Sequence, residues 1–174
     1  MGFLPDLPLY ACTAFCISRD DLVLVGNNED WKNPNTKIWY EPAEEEKYGR
    51  VYFGFDNFYP QSGMNEKGLV FDGFATSPNE VKKSLNKPTC CTNLMDKVVS
   101  ECATVDEALE IFDKYNLKFM ERAMFLIADE QGDSAIIEGD ERMLSDGITP
   151  TNTEHYMARK VLSSGIATCH KSRK

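Results

Sequence analysis

The order of its extended and helical segments is the feature that most constrains the fold of this 174-residue chain. Runs rich in β-formers fill the first third, segments with a helical period follow, and two further β-prone runs come after them. Strands that are collected apart from the helices are typical of α+β proteins rather than of alternating βαβ folds. We therefore expect an α+β fold, with helices packed on one face of a largely antiparallel sheet.

The first two extended runs are predicted to form a hairpin. Residues 13–18 and 22–27 are β-prone, and the polar residues 19–21 between them have the length of a turn. Three more strands are predicted at residues 37–40, 50–55 and 69–74. The last of these follows residues 63–69 (GMNEKGL), which are predicted to form a tight polar turn that leads into the strand.

Two helices are predicted after these strands. Apolar residues recur at helical spacing from residue 91 to residue 102. Thr104 and Glu107 then stand three positions apart before a second apolar stripe, which is the pattern of a capping box at a helix start. Strands are predicted next at residues 124–128 and 134–138, joined by a five-residue loop that contains glycine.

Length and composition favour one domain. A net charge of −9 and 27% charged residues describe an ordinary globular chain and exclude a nucleic acid or an anionic membrane held by charge. No apolar stretch is long enough for a membrane span. We expect a leader or propeptide at residues 1–11 and a single domain at residues 12–174, whose pattern weakens after about residue 140. The leader is too short for a complete signal peptide, so localisation stays open between cytoplasm and export.

Cys12 is the most informative of the six cysteines. Their spacing fits no metal site, and the chain has only two histidines, so neither a metal nor a cofactor is expected. Cys12 follows the leader directly, and cleavage before it would place the thiol and a free α-amine on one residue. That amine can act as the base that activates the thiol. A nucleophilic Cys12 should have a raised thiolate fraction and react fastest with iodoacetamide, whereas the alternative is a small buried cysteine.

Residues 27–31 are candidates to act with this thiol. The hairpin returns Asp30 to Cys12, where its carboxylate could hold the α-ammonium, although a turn or cap residue is the simpler alternative. Asn27 and Asn28 could donate hydrogen bonds to a carbonyl oxygen that develops negative charge. Trp31 is either a pocket wall or core. Aromatic residues in the stretches 31–40 and 57–61 favour loops around an apolar acyl site.

Four segments occur together in a recognisable order. They are Cys12-Thr13, residues 26–31 (GNNEDW), residues 65–69 (NEKGL) and residues 125–138. Together they resemble the choloylglycine hydrolase family of linear amide C–N hydrolases, which includes bile salt hydrolase and penicillin V acylase. They are equally similar to the related acyl-transferase-like cysteine hydrolases. The resemblance implies an N-terminal-nucleophile (Ntn) αββα sandwich in which Cys12 is the nucleophile, exposed by removal of what precedes it, and Asp30 holds its amine.

The chain departs from the family pattern at several positions. Asn27 stands where many members have arginine. Ala75 stands where bile salt and penicillin acylases have an oxyanion asparagine, so that Thr76 or a backbone amide would have to substitute. Asn152 matches a later asparagine that also stabilises the oxyanion. Family members are longer and have a downstream arginine without a match here, so the fold is expected to be short in its C-terminal half. An incomplete sheet would favour a homo-oligomer.

The leading functional hypothesis is a hydrolase that cleaves the linear amide bond of an N-acylated small molecule through Cys12 and a thioester. The resemblance implies bile-salt-, penicillin V- or N-acyl-amino-acid-like substrates. Two alternatives stay open. An acyltransferase would use the same cysteine and pass the acyl group to an amine. A non-catalytic or truncated relative would serve as a binding or assembly module, which the residues at positions 27 and 75 favour.

Overall fold

The computed structural model describes residues 12–19, 21–82, 86–90, 93–145 and 165–172, with backbone alone for residues 145 and 165–172. The first strands are β1 (Cys12–Arg19), β2 (Leu22–Asn28), β3 (Lys37–Glu41), β4 (Arg50–Gly54), β5 (Pro60–Asn65) and β6 (Val70–Ala75). The helices α1 (Leu94–Glu101) and α2 (Val105–Lys114) follow, with a short 3₁₀ helix at Lys118–Arg122. The remaining strands are β7 (Ala123–Ala128), β8 (Ser134–Glu138), β9 (Glu141–Ser145) and β10 (Gly165–Ser172).

The strands form two sheets. The larger sheet has the order β3-β4-β5-β6-β7-β8-β9 and is antiparallel at every pair. The smaller sheet has the order β10-β1-β2, in which β1 pairs with β2 as the predicted antiparallel hairpin and with β10 in parallel. This arrangement confirms the expected α+β class and the largely antiparallel sheet.

Both helices pack on one face of the larger sheet. Their buried apolar stripes join side chains of β4, β6, β7 and β8 in the main core, which includes Phe71, Val98 and Phe112. The capping box of α2 is confirmed. The Glu107 N–H donates to Thr104 Oγ1 at 3.3 Å, and Glu107 Oε2 accepts from the Thr104 N–H at 3.3 Å. These reciprocal bonds satisfy donors that the first turn of a helix leaves free.

The opposite face of the larger sheet meets the smaller one. In β1, burial alternates along the strand, and Ala14 packs against Phe74, Met124 and Leu126 of the larger sheet. The smaller sheet has three strands against seven, so it covers only part of this inner face. Large apolar side chains of β3–β5 stay exposed there, namely Ile38, Tyr40, Phe53 and Met64. Two stacked sheets with helices on one outer face give three of the four layers of the predicted sandwich.

Asn65 holds the turn between β5 and β6 and ties it to α1. Its Oδ1 accepts hydrogen bonds from the backbone N–H groups of Lys67 and Leu69, both at 3.0 Å. Its Nδ2 donates to the carbonyl oxygens of Val99 and Cys102, both at 2.7 Å. The buried Asn65 side chain therefore joins the polar turn to the helix layer, while Glu66 and Lys67 of the same turn stay exposed.

Several elements differ from the sequence prediction. β5 covers part of the stretch 57–61, which was expected to be a pocket loop, and β9 and β10 were not predicted at all. The first helix begins at Leu94, and residues 91 and 92 lie outside the described residues. Among the residues described, no helix is long and apolar enough to cross a membrane.

Candidate active site

Cys12 lies half-buried at the start of β1, facing the end of β2. Its thiol donates a hydrogen bond to Glu29 Oε2, with 3.3 Å between sulfur and oxygen. The Asp30 backbone N–H donates to the same sulfur. Both residues directly follow β2, whose Asn28 pairs with Thr13. The hairpin therefore brings the two predicted segments together, and the thiol contacts the Glu29 carboxylate and the Asp30 backbone.

A second acidic side chain, Asp72, belongs to the same cluster. Asn27 Nδ2 donates to Asp72 Oδ1 at 3.0 Å and to Glu29 Oε1 at 3.3 Å, so one amide bridges the two carboxylates. Asp72 is 2% exposed and stands in the centre of β6, between Ser62 of β5 and Leu126 of β7. Its Oδ2 is buried and has no hydrogen-bond partner among the described residues.

Burial changes the protonation of Asp72. Desolvation raises the pKa of this carboxyl to about 7, and the nearby charge of Glu29 adds to the rise. The Asn27 side chain and the Gly73 backbone N–H oppose the rise because they stabilise the ionised form. Asp72 therefore exchanges its proton near neutral pH, where an exposed aspartate stays ionised.

The Cys12 thiol is also perturbed, in the direction opposite to that expected from the sequence. Burial raises its pKa to about 11, and the carboxylates of Glu29 and Asp72 contribute to the rise. The Asp30 N–H acts against it by stabilising the thiolate. In the chain with residues 1–11 attached, the thiolate fraction of Cys12 is therefore low, because burial and the negative charges disfavour the thiolate. A raised thiolate fraction stays a prediction for the chain that begins at Cys12.

Glu29→Gln should make this thiol more acidic. Glu29 raises the Cys12 pKa through its charge and as a hydrogen-bond acceptor, and an amide keeps the shape without the charge. We expect the rate of Cys12 alkylation by iodoacetamide at pH 8 to rise about threefold or more, because the rate follows the thiolate fraction. Peptide mass spectrometry across a pH series measures it. The exposed Glu45→Gln serves as the charge-matched control, and an unchanged midpoint in Glu29→Gln would contradict this placement of Glu29.

An open cavity of about 690 Å³ lies between the sheets and reaches the Cys12 cluster. Its wall comes from β2 and from β4–β6 and is mainly apolar, with Val23, Val25, Val51, Phe53 and Val70 among its residues. The charged residues that line it are all acidic: Asp21, Glu29, Asp72, Asp129 and Glu130. Within the described part of the chain, no lysine or arginine lines this cavity.

The other predicted site residues lie in different places. Asn28 is exposed at the end of β2, and Trp31 is exposed with its ring 6.2 Å from that of Phe55. Ala75 ends β6 and pairs with β7. Thr76 has a buried Oγ1 without a hydrogen-bond partner among the described residues, and its N–H donates to the Arg122 carbonyl. None of these four lines the cavity. Asn152 lies outside the described residues.

Sequence reasoning missed two members of the cluster, Glu29 and Asp72. Glu29 stands inside the quoted segment 26–31, but nothing in the sequence distinguishes its side chain from that of Asp30. Asp72 does leave a signal. It is the one charged residue of β6, whose other members are Val, Phe, Gly and Ala, and a charge inside such a strand is rarely left buried without a reason.

Comparison with models of known protein families identifies the family of this chain. The family model described as acyl-coenzyme A:6-aminopenicillanic acid acyl-transferase matches residues 17–172. The chain belongs to this family. Membership confirms the resemblance to the choloylglycine hydrolase and penicillin V acylase group. The matched range begins after Cys12, so the role of that thiol depends on its position in the family's fold and on the geometry around it.

Solved structures support the Ntn fold of this acyl-transferase family member. Penicillin V acylase from Agrobacterium tumefaciens superposes with a TM-score of 0.60 at 23% identity, covering 76% of this chain and 48% of the other. Two variants of the conjugated bile acid hydrolase from Clostridium perfringens give TM-scores of 0.61 and 0.62 at 22% and 23% identity. They cover 79% and 81% of this chain and 53% and 54% of theirs.

The chain therefore spans about half the length of these solved structures. Comparison by sequence with curated proteins gives no match.

Proposed function

We propose that the protein is a cysteine N-terminal-nucleophile amidohydrolase, which cleaves the linear amide bond of an N-acylated small molecule. The observation that carries this proposal is the place of Cys12. Cys12 is the first residue of β1, and its thiol contacts Glu29, which lines the mainly apolar cavity. Such a cavity suits an acyl group, and a thiol beside its lining suits attack on the acyl carbonyl.

Activation of the thiol requires a base. The neighbouring carboxylates raise the Cys12 pKa rather than lower it, so they do not generate the thiolate. Removal of residues 1–11 would create an α-amine on Cys12 itself, and this amine takes the thiol proton. The Asp30 carboxylate then holds the resulting α-ammonium. Because the ammonium lies on the same residue, it also opposes the negative charges around the sulfur.

The reaction proceeds through a thioester. The Cys12 sulfur bonds to the amide carbonyl carbon, and the C–N bond breaks as the α-ammonium returns its proton to the departing amine. Asn28, Asn152 or main-chain N–H groups stabilise the oxyanion. Water then attacks the thioester, gives a proton to the Cys12 amine, and releases the carboxylic acid and the free thiol.

An acyltransferase is the second candidate, favoured by the description of the matched family. It would share the thioester and transfer the acyl group to an amine instead of water. A non-catalytic binding or assembly module would form no thioester at all. The two enzymatic candidates therefore separate from the third at the first chemical step, and from each other at the second.

Trapping the thioester tests this proposal. The protein is mixed with a chromogenic N-phenylacetyl amide and quenched in acid within the first turnover. The masses of its proteolytic peptides are then measured by mass spectrometry. We expect the phenylacetyl mass on the peptide that begins at Cys12 and on no other cysteine peptide. Release of phenylacetic acid supports a hydrolase, whereas acyl transfer to added amine in preference to water supports the acyltransferase. Absence of both the adduct and product across a panel of acyl amides would contradict both enzymes.

A further inference from the structure

The cavity beside Cys12 contains an unsatisfied buried carboxylate oxygen. Asp72 is 2% exposed, and Asn27 occupies its Oδ1. Its Oδ2 is buried without a hydrogen-bond partner among the described residues, and Asp72 is one of the residues that line the cavity. A buried carboxylate oxygen is costly to leave unpaired. A ligand that brings a donor to this atom would therefore be favoured over one that does not.

The charge of the cavity also favours a ligand that donates to Asp72. Its five charged lining residues are all acidic, and no described basic residue lines it. An apolar wall around charges of one sign strengthens their field, which attracts a cation and repels an anion. The ligand group that donates a hydrogen bond to Asp72 Oδ2 would for this reason carry a positive charge.

We propose that the substrate is cationic, namely a small N-acyl amide with a protonated amine a few bonds from the amide, whose ammonium donates to Asp72 Oδ2. The acyl group lies against the apolar wall formed by β2 and β4–β6. The short distance between ammonium and amide follows from the cluster, because Asn27 bridges Asp72 to Glu29 and Glu29 contacts the thiol. The proposal rests on the proposed function and names the substrate class of that site.

Three matched substrates test the charge preference. N-phenylacetyl-1,3-diaminopropane carries a cation, N-phenylacetyl-butylamine is neutral, and N-phenylacetyl-β-alanine carries an anion, all on the same acyl group. We expect kcat/KM for the cation to exceed that for the neutral amide about 10- to 100-fold, the range of one charge-assisted hydrogen bond. The anion should be the poorest substrate. Equal rates for the three, or a preference for the anion, would overturn the proposal.

Asp72→Asn assigns the preference to this residue. The variant keeps the shape and the contact with Asn27 but loses the charge, so the cationic substrate should fall to the level of the neutral one, chiefly through KM. The ratio of kcat/KM for the cationic and neutral substrates should therefore fall to about one. A variant that slows both substrates equally would show that Asp72 acts on the Cys12 amine instead, and would overturn the proposal. Glu45→Gln, which removes one exposed charge outside the cavity, should leave the preference intact.

The preference should also depend on pH. The titratable groups that face Asp72 are Glu29 after β2 and the Cys12 thiol of β1, while β5 and β7 present Ser62 and Leu126. Because the Asp72 pKa is about 7, its charge is present at pH 8 and largely lost at pH 6. The ratio of kcat/KM for the cationic and neutral substrates should fall about tenfold between these values. A ratio independent of pH would contradict the assignment.

A binding measurement separates this proposal from the proposed function. Hexylammonium, hexanol and hexanoate contain no amide, so their binding needs no catalysis. Isothermal titration at pH 8 should show hexylammonium binding at least about tenfold more tightly than the other two, and Asp72→Asn should remove that difference. Such a result without any hydrolysis would support the cation site and reject the enzyme. Hydrolysis combined with equal binding of the three probes would support the enzyme and reject the cation site.

Discussion

Replacing Cys12 by alanine should reduce kcat/KM for amide hydrolysis at least about 1,000-fold, because it removes the atom that bonds to the substrate. Cys12→Ser should be almost as severe, since a hydroxyl is a far weaker acid than a thiol. The fold should tolerate both changes. Cys12 is half-buried at the edge of the inter-sheet cluster, so loss of its sulfur removes few contacts. Steady-state release of product from an N-phenylacetyl amide measures the effect.

The matched control is Cys90→Ala. Cys90 is a second half-buried cysteine, which packs against the main core, whereas Cys12 packs against the inter-sheet cluster. Its substitution should leave kcat/KM within about threefold. Comparable losses in the two variants would indicate damage to the fold, and full activity in Cys12→Ala would remove the nucleophile from the mechanism.

The second large effect is expected at Asn65. Asn65→Ala should lower the free energy of unfolding by about 3 kcal/mol or more, because four backbone groups, three of them in buried hydrogen bonds, lose their partners together. Asn65→Asp should be similarly harmful. It keeps an acceptor for Lys67 and Leu69 but turns a second oxygen toward the carbonyls of Val99 and Cys102. Urea denaturation followed by circular dichroism measures both variants.

Asn57→Ala is the control for this prediction. Asn57 also accepts a backbone N–H in a turn, from Tyr59 at 3.1 Å, but the bond is exposed to water. Its removal should cost about 0.5 to 1 kcal/mol. If Asn65→Ala cost no more than this, the turn after β5 would not be the junction of sheet and helix layer. Loss of Asn65 should also weaken hydrolysis of the cationic substrate, because β6 carries Asp72 from this turn to the cavity.

The parts of the fold that depend on local interactions could be predicted. Polar residues of turn length between two β-prone runs were enough to predict the β1–β2 hairpin, and Thr104 with Glu107 predicted the start of α2. β5 was missed because Pro60 and Gly63 have turn composition. Gly63 is needed for a tertiary reason, since a Cβ there would lie 2.6 Å from Tyr52 Cδ1. β10 was missed because its parallel partner, β1, lies at the other end of the chain.

The residues of the candidate site could likewise be predicted where they depend on local sequence. Position alone identified Cys12, and the length of the hairpin brought the segment 26–31 to it. The raised pKa of Asp72 could not be found in this way. The pKa of Asp72 depends on burial between two sheets and on the charge of Glu29, and neither follows from local sequence. Burial also raises the pKa of the Cys12 thiol. Activation of this thiol therefore depends on the α-amine.

The central claim is that activity requires Cys12 to be the first residue, and the mass of the active protein tests it most directly. A preparation that hydrolyses an N-acyl amide should be analysed by intact-protein mass spectrometry and by N-terminal sequencing. Its activity should be proportional to the fraction of chains that begin at Cys12. We predict a chain starting at Cys12 in the active material and an inactive one where residues 1–11 are retained. Full activity in a homogeneous chain that still begins at Met1 would contradict the free-amine mechanism.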